Sequence, residues 1–202
     1  MKYPNNIRKT TSNNIVPVNY KNRGMNLESD INITNEYYID TKKAFIYKKP
    51  TPIKLVKVDY KLAKITEAYF EKPSTTDYNG IYKGQYIDFE AKETTNKTSF
   101  PISNIHPHQI NHIRNIYNEK GICFLIVRFT TLNETYILMS KDFLEFIDNN
   151  DRSSIPLSYF KEKGFLIKDG FIPRIDYLKV LEENGGLWKR LKRKIPKKKK
   201  LN

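Results

Sequence analysis

The sequence has very little cysteine and no long apolar run, and both absences narrow the class of protein. Its one cysteine, Cys123, cannot form an internal disulfide and lies in the apolar run at 121–129, so we expect a buried free thiol in a reducing, cytoplasmic compartment. No run of apolar residues reaches the roughly 18 needed for a transmembrane helix, so no contact with a membrane is expected. The first residues lack the apolar segment of a secretory signal peptide, so no such signal is predicted.

Acidic residues are missing from both ends of the chain. Residues 1–23 contain five basic residues and 189–200 contain nine, with no acid in either segment. The formal net charge is +14, and residues 24–188 contain equal numbers of basic and acidic residues, so all the excess lies at the ends. This balance indicates an anionic partner, with nucleic acid favoured over a membrane surface. Lysine-rich ends that serve only solubility are the alternative.

The length and composition predict one folded domain with basic extensions. The chain has 202 residues, of which 39% are hydrophobic, enough to build a core. Residues 1–22 are polar and without periodicity, so we expect a flexible basic arm there. The folded domain is expected over 23–188, followed by a disordered basic tail over 189–202.

Hydrophobic periodicity predicts a mixed α/β order of elements. A helix capped by Asn26 should run to about Asp40, and a second helix should cover 108–119. Asn79-Gly80 favours a tight turn between two strands. Strands are predicted at 44–47, 85–92, 122–130 and 134–140, an extended hairpin at 51–72, and further helices at 141–149 and 174–184 with an irregular stretch between them.

The predicted hairpin is unusually basic for the middle of the chain. Residues 41–72 contain nine lysines and three acids. Because a two-stranded hairpin is weak alone, this one must pack on another element or protrude for a purpose.

A pattern of acids and a lysine carries the chemistry. Asp77 precedes Glu90 by thirteen residues, and Lys92 follows two residues later on the same face of a predicted strand. Asp77 begins the hairpin that contains this strand, so the two carboxylates can converge. Together they can hold Mg²⁺, which requires oxygen ligands, while the ammonium contacts an activated water and a scissile phosphate. The pattern therefore equips the chain to hydrolyse a phosphodiester.

The same spacing has a structural alternative, a half-exposed strand with one ion pair. The apolar opposite face of the strand favours the functional interpretation, as does Thr75, which could add an oxygen ligand. Asp88 shares the polar face and could be a ligand too, but a solubilising charge on an edge strand is the favoured interpretation.

Three histidines and a glutamine cluster near the start of the second helix. His108 and His112 have the i, i+4 spacing of a zinc site, but no glutamate follows the first, so surface histidines are favoured. Gln109 could reach a metal from across the site as a neutral oxygen donor.

Several stretches together resemble the RecU-type Holliday junction resolvases of low-GC Gram-positive bacteria and mollicutes. The resemblance spans roughly 20–180, and its most specific part is the run from 74 to 101. The motifs that carry it are NRGMNLE at 22–28, KKPTP at 48–52, EAYF at 67–70, STTDYNGIYKG at 74–84, YIDFEAKET at 86–94, NKTSFP at 96–101, HQI at 108–110 and PRIDY at 173–177.

The resemblance implies a restriction-endonuclease-like fold, with a mixed central sheet flanked by helices, in a homodimer that cuts four-way DNA junctions in recombination and repair. It implies Thr75, Asp77, Glu90 and Gln109 as metal-site residues, and Lys92 as the group that stabilises the transition state. The basic section at 48–72 would be a stalk that enters the junction, although the segment between Tyr60 and Glu67 is shorter than the family pattern. The residues expected to contact DNA are Arg23, Lys48, Lys49, Lys57, Lys61, Lys64 and Phe70.

Two other functions remain open on sequence grounds. The first is a sequence-specific endonuclease of the same fold, and the second is a basic DNA-binding protein without activity. A recombinase and a branch-migration helicase are possible protein partners. Neither a motif nor the resemblance explains the tail after Trp188.

Overall fold

The computed structural model describes residues 26–71 and 75–184, which form a three-layer α/β domain. A six-stranded sheet has the order β1-β4-β5-β7-β8-β10, and helices cover both of its faces. The predicted arm over 1–22 and tail over 189–202 lie outside the described residues, as does Arg23. Within the described part, no helix is long and apolar enough to span a membrane.

The helix and strands of the first half lie close to their predicted positions, except that β4 occupies the predicted turn. They are α1 (Leu27–Asp40), β1 (Phe45–Lys48), β2 (Ile53–Asp59), β3 (Lys64–Phe70), β4 (Tyr78–Tyr82) and β5 (Gln85–Thr94). Asn26 caps α1 as predicted, because its side chain accepts a hydrogen bond from the Ser29 amide at 2.9 Å.

The second half completes the sheet and its helical layers. Its elements are β6 (Ser99–Pro101), a 3-10 helix (Ile102–Asn104), α2 (Pro107–Asn118), β7 (Ile122–Phe129), β8 (Glu134–Met139), α3 (Ser140–Asn149), β9 (Ser154–Pro156), α4 (Leu157–Lys163), β10 (Phe165–Ile167) and α5 (Tyr177–Glu183). β7 is buried along its whole length, as its apolar sequence predicts. It pairs in parallel with β5 and antiparallel with β8, so the sheet is mixed.

Two hydrophobic cores lie on the two faces of the sheet. The first packs α1 and α5 against side chains that include Ile87, Phe89 and Phe124. The second packs α2, α3 and α4 against Leu125, Val127 and their neighbours. Because side chains alternate along β5, its polar face points toward the layer that contains α2.

The prediction of a turn at Asn79-Gly80 is wrong. Both residues lie within β4, and the turn that joins β4 to β5 is Lys83-Gly84, where both φ angles are positive, at 48° and 75°. Gly80 serves close packing instead, since a Cβ atom there would lie 2.1 Å from the carbonyl oxygen of Phe45 on β1. Glycine is required at position 80 because β1 passes close to it, and not because the chain turns there.

The stretch between α3 and α5 was predicted to be irregular, but it contains β9, α4 and β10. These elements have three to seven residues each, too short to show periodicity in sequence. Tertiary packing holds them in place, since Ile155, Phe160 and Ile167 are all buried.

Strands β2 and β3 pair with each other in a separate two-stranded sheet. Their apolar side chains are largely exposed, among them Leu55, Ile65 and Tyr69. Phe70, at the end of β3, is 83% exposed. The predicted hairpin is therefore present, and it lies outside both cores.

Candidate nuclease centre

The strand register brings Asp77 and Glu90 together. Tyr78 pairs with Phe89 across β4 and β5, which places Asp77, one residue earlier, beside Glu90, one residue later. The Asp77 amide donates a hydrogen bond to Glu90 Oε2 at 3.1 Å. Two carboxylates separated by thirteen residues in sequence thus share one site, as the pattern predicted.

Lys92 contacts both carboxylates. Its ammonium forms an ion pair with Glu90 Oε1 and lies 3.9 Å from Asp77 Oδ2. Glu90 is completely buried, while the side chains of Lys92 and Asp77 keep a quarter to a third of their exposure. The lysine and Asp77 are therefore accessible, and Glu90 is the fixed part of the site.

Burial and charge together perturb Glu90. Loss of hydration is the largest cause, and it acts with the negative charge of Asp77 to raise the pKa of Glu90 to about 7, against the opposing effect of Lys92. Burial thus leaves the Glu90 carboxylate poorly solvated, and the nearby charge of Asp77 adds repulsion that little water screens. A divalent cation between them would relieve that repulsion, so the donor chemistry fits Mg²⁺.

Gln109 reaches the same carboxylate from α2. Its side-chain nitrogen donates to Glu90 Oε1 at 2.8 Å, and its oxygen accepts from the His106 amide at 3.0 Å. This second bond is the reciprocal cap of a helix N-terminus, which fixes the side chain. In this arrangement the side-chain nitrogen of Gln109 faces Glu90, and its oxygen faces the His106 amide.

Thr75 lies at the edge of the site, half-buried, two residues before Asp77. A cavity of about 250 Å³ opens beside it, lined by Asp77, Lys48, Lys49 and neighbouring residues. Across the described ranges, no group of three His, Cys, Asp or Glu side chains is arranged to hold a metal. A cation here would therefore complete its coordination with neutral oxygens and water, as Mg²⁺ commonly does.

The favoured interpretation of Asp88 is wrong. β5 lies inside the sheet between β4 and β7, and Asp88 is fully buried. Four side chains contact its carboxylate: Lys49 at 2.8 Å, Tyr86 at 2.7 Å, His112 at 3.3 Å, and Thr76 through a short hydrogen bond. Pairing with β7 makes β5 an inner strand, and His112 on α2 contacts Asp88 from the face of the sheet. A single sequence reveals neither contact.

The histidines are divided among different neighbours. His112 faces Asp88, whereas His108 stacks on His106 with ring centroids 5.4 Å apart. His112 is therefore not the freely solvated surface histidine that was favoured.

The basic residues predicted to contact DNA differ in their surroundings. Lys48 pairs with Glu28 at 2.6 Å and Lys57 with Glu67 at 3.1 Å, both in exposed positions. Lys49 is mostly buried against Asp88. Lys61 and Lys64 lie in the exposed hairpin.

The mixed sheet flanked by helices defines the class as an α/β domain, in which two carboxylates and a lysine contact one another beside the central strand β5. The family model described as "Recombination protein U" matches residues 22–183. The chain belongs to this RecU family.

Curated relatives extend the similarity over most of the chain. A protein of Oceanobacillus iheyensis named "Holliday junction resolvase RecU" is 50% identical over 193 residues, covering 91% of this chain and 98% of that protein. Proteins of the same name from Streptococcus agalactiae serotype Ia and Streptococcus thermophilus are 48% and 52% identical. They cover 91% and 82% of this chain, and 96% and 86% of their own lengths.

Proposed function

We propose that this chain is a Mg²⁺-dependent endodeoxyribonuclease that resolves four-way DNA junctions by paired nicks, in cytoplasmic recombination and repair. The observation that carries the proposal is the contact of Lys92 with both Asp77 and Glu90. Membership of the RecU family supports the same activity and favours a restriction-endonuclease-like assignment of the mixed sheet.

Asp77 and Glu90 would hold the metal, with Thr75 and Gln109 as the proposed neutral oxygen donors. Bound Mg²⁺ would supply an activated water and would offset negative charge on the phosphate. The ammonium of Lys92 would offset the negative charge that develops on the phosphate oxygens in the transition state, an electrostatic contribution that is usually large. Burial of Glu90 strengthens its ion pair with Lys92, which holds the ammonium in the site, because little water screens the pair.

The exposed hairpin is proposed as the stalk that enters the junction. Lys57, Lys61 and Lys64 would contact phosphates, and Phe70 would stack on a base near the branch point. The exposure of Phe70 supports this role, since a ring that packs in neither core is free to stack on a base. Lys48, Lys49 and Arg23 are proposed as further DNA contacts nearer the nuclease centre.

A homodimer is proposed because a four-way junction needs two related cuts. Phe45, Tyr47 and Ile81 form an exposed apolar surface on the edge strand β1 and its neighbour β4. We expect a second copy of the chain to cover this surface. Sedimentation should therefore give a dimer for the native chain and a monomer for Phe45→Asp, whereas Leu166→Asp, on the opposite edge strand, should leave the dimer intact.

The activity is tested with a labelled four-way junction, with and without Mg²⁺, beside a linear duplex of the same sequence. Symmetric nicks near the branch only with Mg²⁺ are expected. Lys92→Ala should bind the junction without cutting it, while the matched variant Lys179→Ala, at an exposed lysine on α5, should cut normally. Cutting of the plain duplex at one sequence would indicate a sequence-specific endonuclease. Binding without cleavage in every condition would indicate an architectural DNA-binding protein.

A further inference from the structure

We propose that Asp88 is a positioning residue for the nuclease centre, which it orders through Thr76, Lys49 and His112. This inference rests on the proposed function. It assigns a role to the one buried carboxylate near the site that the metal and phosphate chemistry does not use.

The partners of Asp88 leave no room for a metal. The carboxylate accepts from the Thr76 hydroxyl on Oδ1 and from Lys49 Nζ and Tyr86 OH on Oδ2, and His112 Nε2 lies 3.3 Å from it. A buried carboxylate is stable only when it is paired and hydrogen-bonded, and Asp88 meets both conditions through these side chains. It is thus a structural hub and not a ligand of the proposed metal.

The hub fixes the main chain at Asp77. Thr76, its immediate neighbour, bonds to Asp88 and also accepts from Lys49 Nζ at 3.0 Å. The backbone amide of Lys49 donates to the Asp77 carbonyl at 2.8 Å. The Asp77 amide is in turn held by Glu90. Both polar groups of the Asp77 backbone are therefore occupied, and Lys49 joins this arrangement to Asp88.

The hub also reaches the helix that carries Gln109. His112 lies three residues after Gln109, on the same side of α2, so Asp88 and Glu90 hold one helix face at two neighbouring points. Asp88 and Glu90 are separated by two residues on β5 and point the same way. Loss of the Asp88 contact would release α2 and the Asp77 segment together.

The first test compares Asp88→Asn with Asp148→Asn. Both variants exchange a paired aspartate for its amide, but Asp148 lies in an exposed ion pair with Arg114. Calorimetric titration of the free protein with Mn²⁺ should show affinity lowered about 10–100-fold in Asp88→Asn, as is typical for residues that orient metal ligands. Asp148→Asn should match the native chain. Because the titration contains no DNA, the change reports metal binding separately from DNA binding.

The second test separates orientation from direct ligation. Thr76→Val removes the hydroxyl at constant shape, whereas Thr76→Ser keeps it. Weakened Mn²⁺ binding in Thr76→Val, with recovery in Thr76→Ser, is the expected result. The proposal is wrong if Asp88→Asn abolishes Mn²⁺ binding while Thr76→Val binds normally, since Asp88 would then be a ligand itself. Unchanged Mn²⁺ affinity in both variants would also overturn it.

The third test does not depend on the proposed activity. Amide hydrogen exchange at Asp77 and Lys49 should accelerate in Asp88→Asn, while exchange at buried β7 amides such as Leu125 stays slow. If the native chain neither binds Mn²⁺ nor cuts junctions, the proposed function fails, and this exchange measurement still decides whether Asp88 orders the segment. Equal exchange at Asp77 in both proteins would refute the positioning role.

Discussion

Phe89 and Phe70 lie in opposite environments although both belong to β-strands, Phe89 within β5 and Phe70 at the end of β3. Phe89 is fully buried on β5 and stacks between Tyr78 and Phe124, with ring centroids 4.8 and 4.9 Å away. Phe70 is 83% exposed at the end of the β2–β3 hairpin. The central sheet holds its side chains in fixed positions, whereas the hairpin leaves its side chains available for contact.

The lysines of the two regions differ in the same way. Lys92 lies between two carboxylates in the sheet, with a quarter of its side chain exposed. Lys57 on the hairpin has one partner, Glu67, and keeps 72% of its side-chain exposure. An exposed pair adds little stability and breaks readily. We therefore expect substitutions in the sheet to affect chemistry and folding, and substitutions in the hairpin to affect DNA binding.

The largest expected effect is on cleavage by Asp77→Asn. Loss of one carboxylate removes a proposed metal ligand, and the single-turnover cleavage rate should fall by at least about 10³-fold, the scale of losing a main electrostatic contribution. Junction affinity should persist, as measured by gel shift in Ca²⁺. Asp148→Asn serves as the control and should cut at the native rate. Native cleavage by Asp77→Asn would remove Asp77 from the nuclease centre.

The next effect concerns stability. Phe89→Ala leaves a cavity between two stacked rings and should lower the free energy of unfolding by about 3–5 kcal/mol. Phe70→Ala removes no buried contact and should change it by less than about 0.5 kcal/mol. Urea unfolding of both variants measures the difference. Similar losses for the two would show that the hairpin aromatic contributes to a core after all.

The sequence predicted most of what local patterns control. Alternation along 85–92 correctly separated Ile87 and Phe89 from Glu90 and Lys92, because side-chain direction in a strand depends only on its period of two. The apolar run at 122–130 correctly predicted a central strand. The approach of Asp77 to Glu90 followed from the hairpin, since antiparallel neighbours in sequence pair in space.

What sequence reasoning missed depends on distant parts of the chain. The burial of Asp88 requires β7, and the partners of its carboxylate come from Lys49, Thr76 and His112, in three separate segments. Gly80 looked like a turn residue because nothing local shows that Phe45 passes 2.1 Å from its missing Cβ. Tertiary approach, which a linear pattern does not encode, accounts for both errors.

Junction binding tests whether Phe70 on the hairpin stacks on a base. Phe70→Ala should weaken junction binding by about 1–3 kcal/mol if the ring stacks on a base. Phe70→Trp should retain most of the affinity, and binding to a linear duplex should change little. Cleavage measured at saturating protein should stay native, since the variant leaves Asp77, Glu90 and Lys92 untouched. Equal weakening on duplex and junction would contradict a position near the branch point.

The smallest and most general effect is expected from the basic tail over 189–202, which lies outside the described residues. The tail contains nine basic residues in 189–200 and no acid. Each phosphate that such a residue neutralises steepens the slope of log affinity against log salt by about one. Truncation after Trp188 should therefore flatten the plot of log affinity against log salt for junction and duplex alike. The cleavage rate at saturation should stay native, because every residue of the proposed nuclease centre lies between Thr75 and Gln109, far from the tail in sequence. An unchanged slope would mean that the tail makes no phosphate contacts, and the hairpin would then carry the electrostatic part of binding without it.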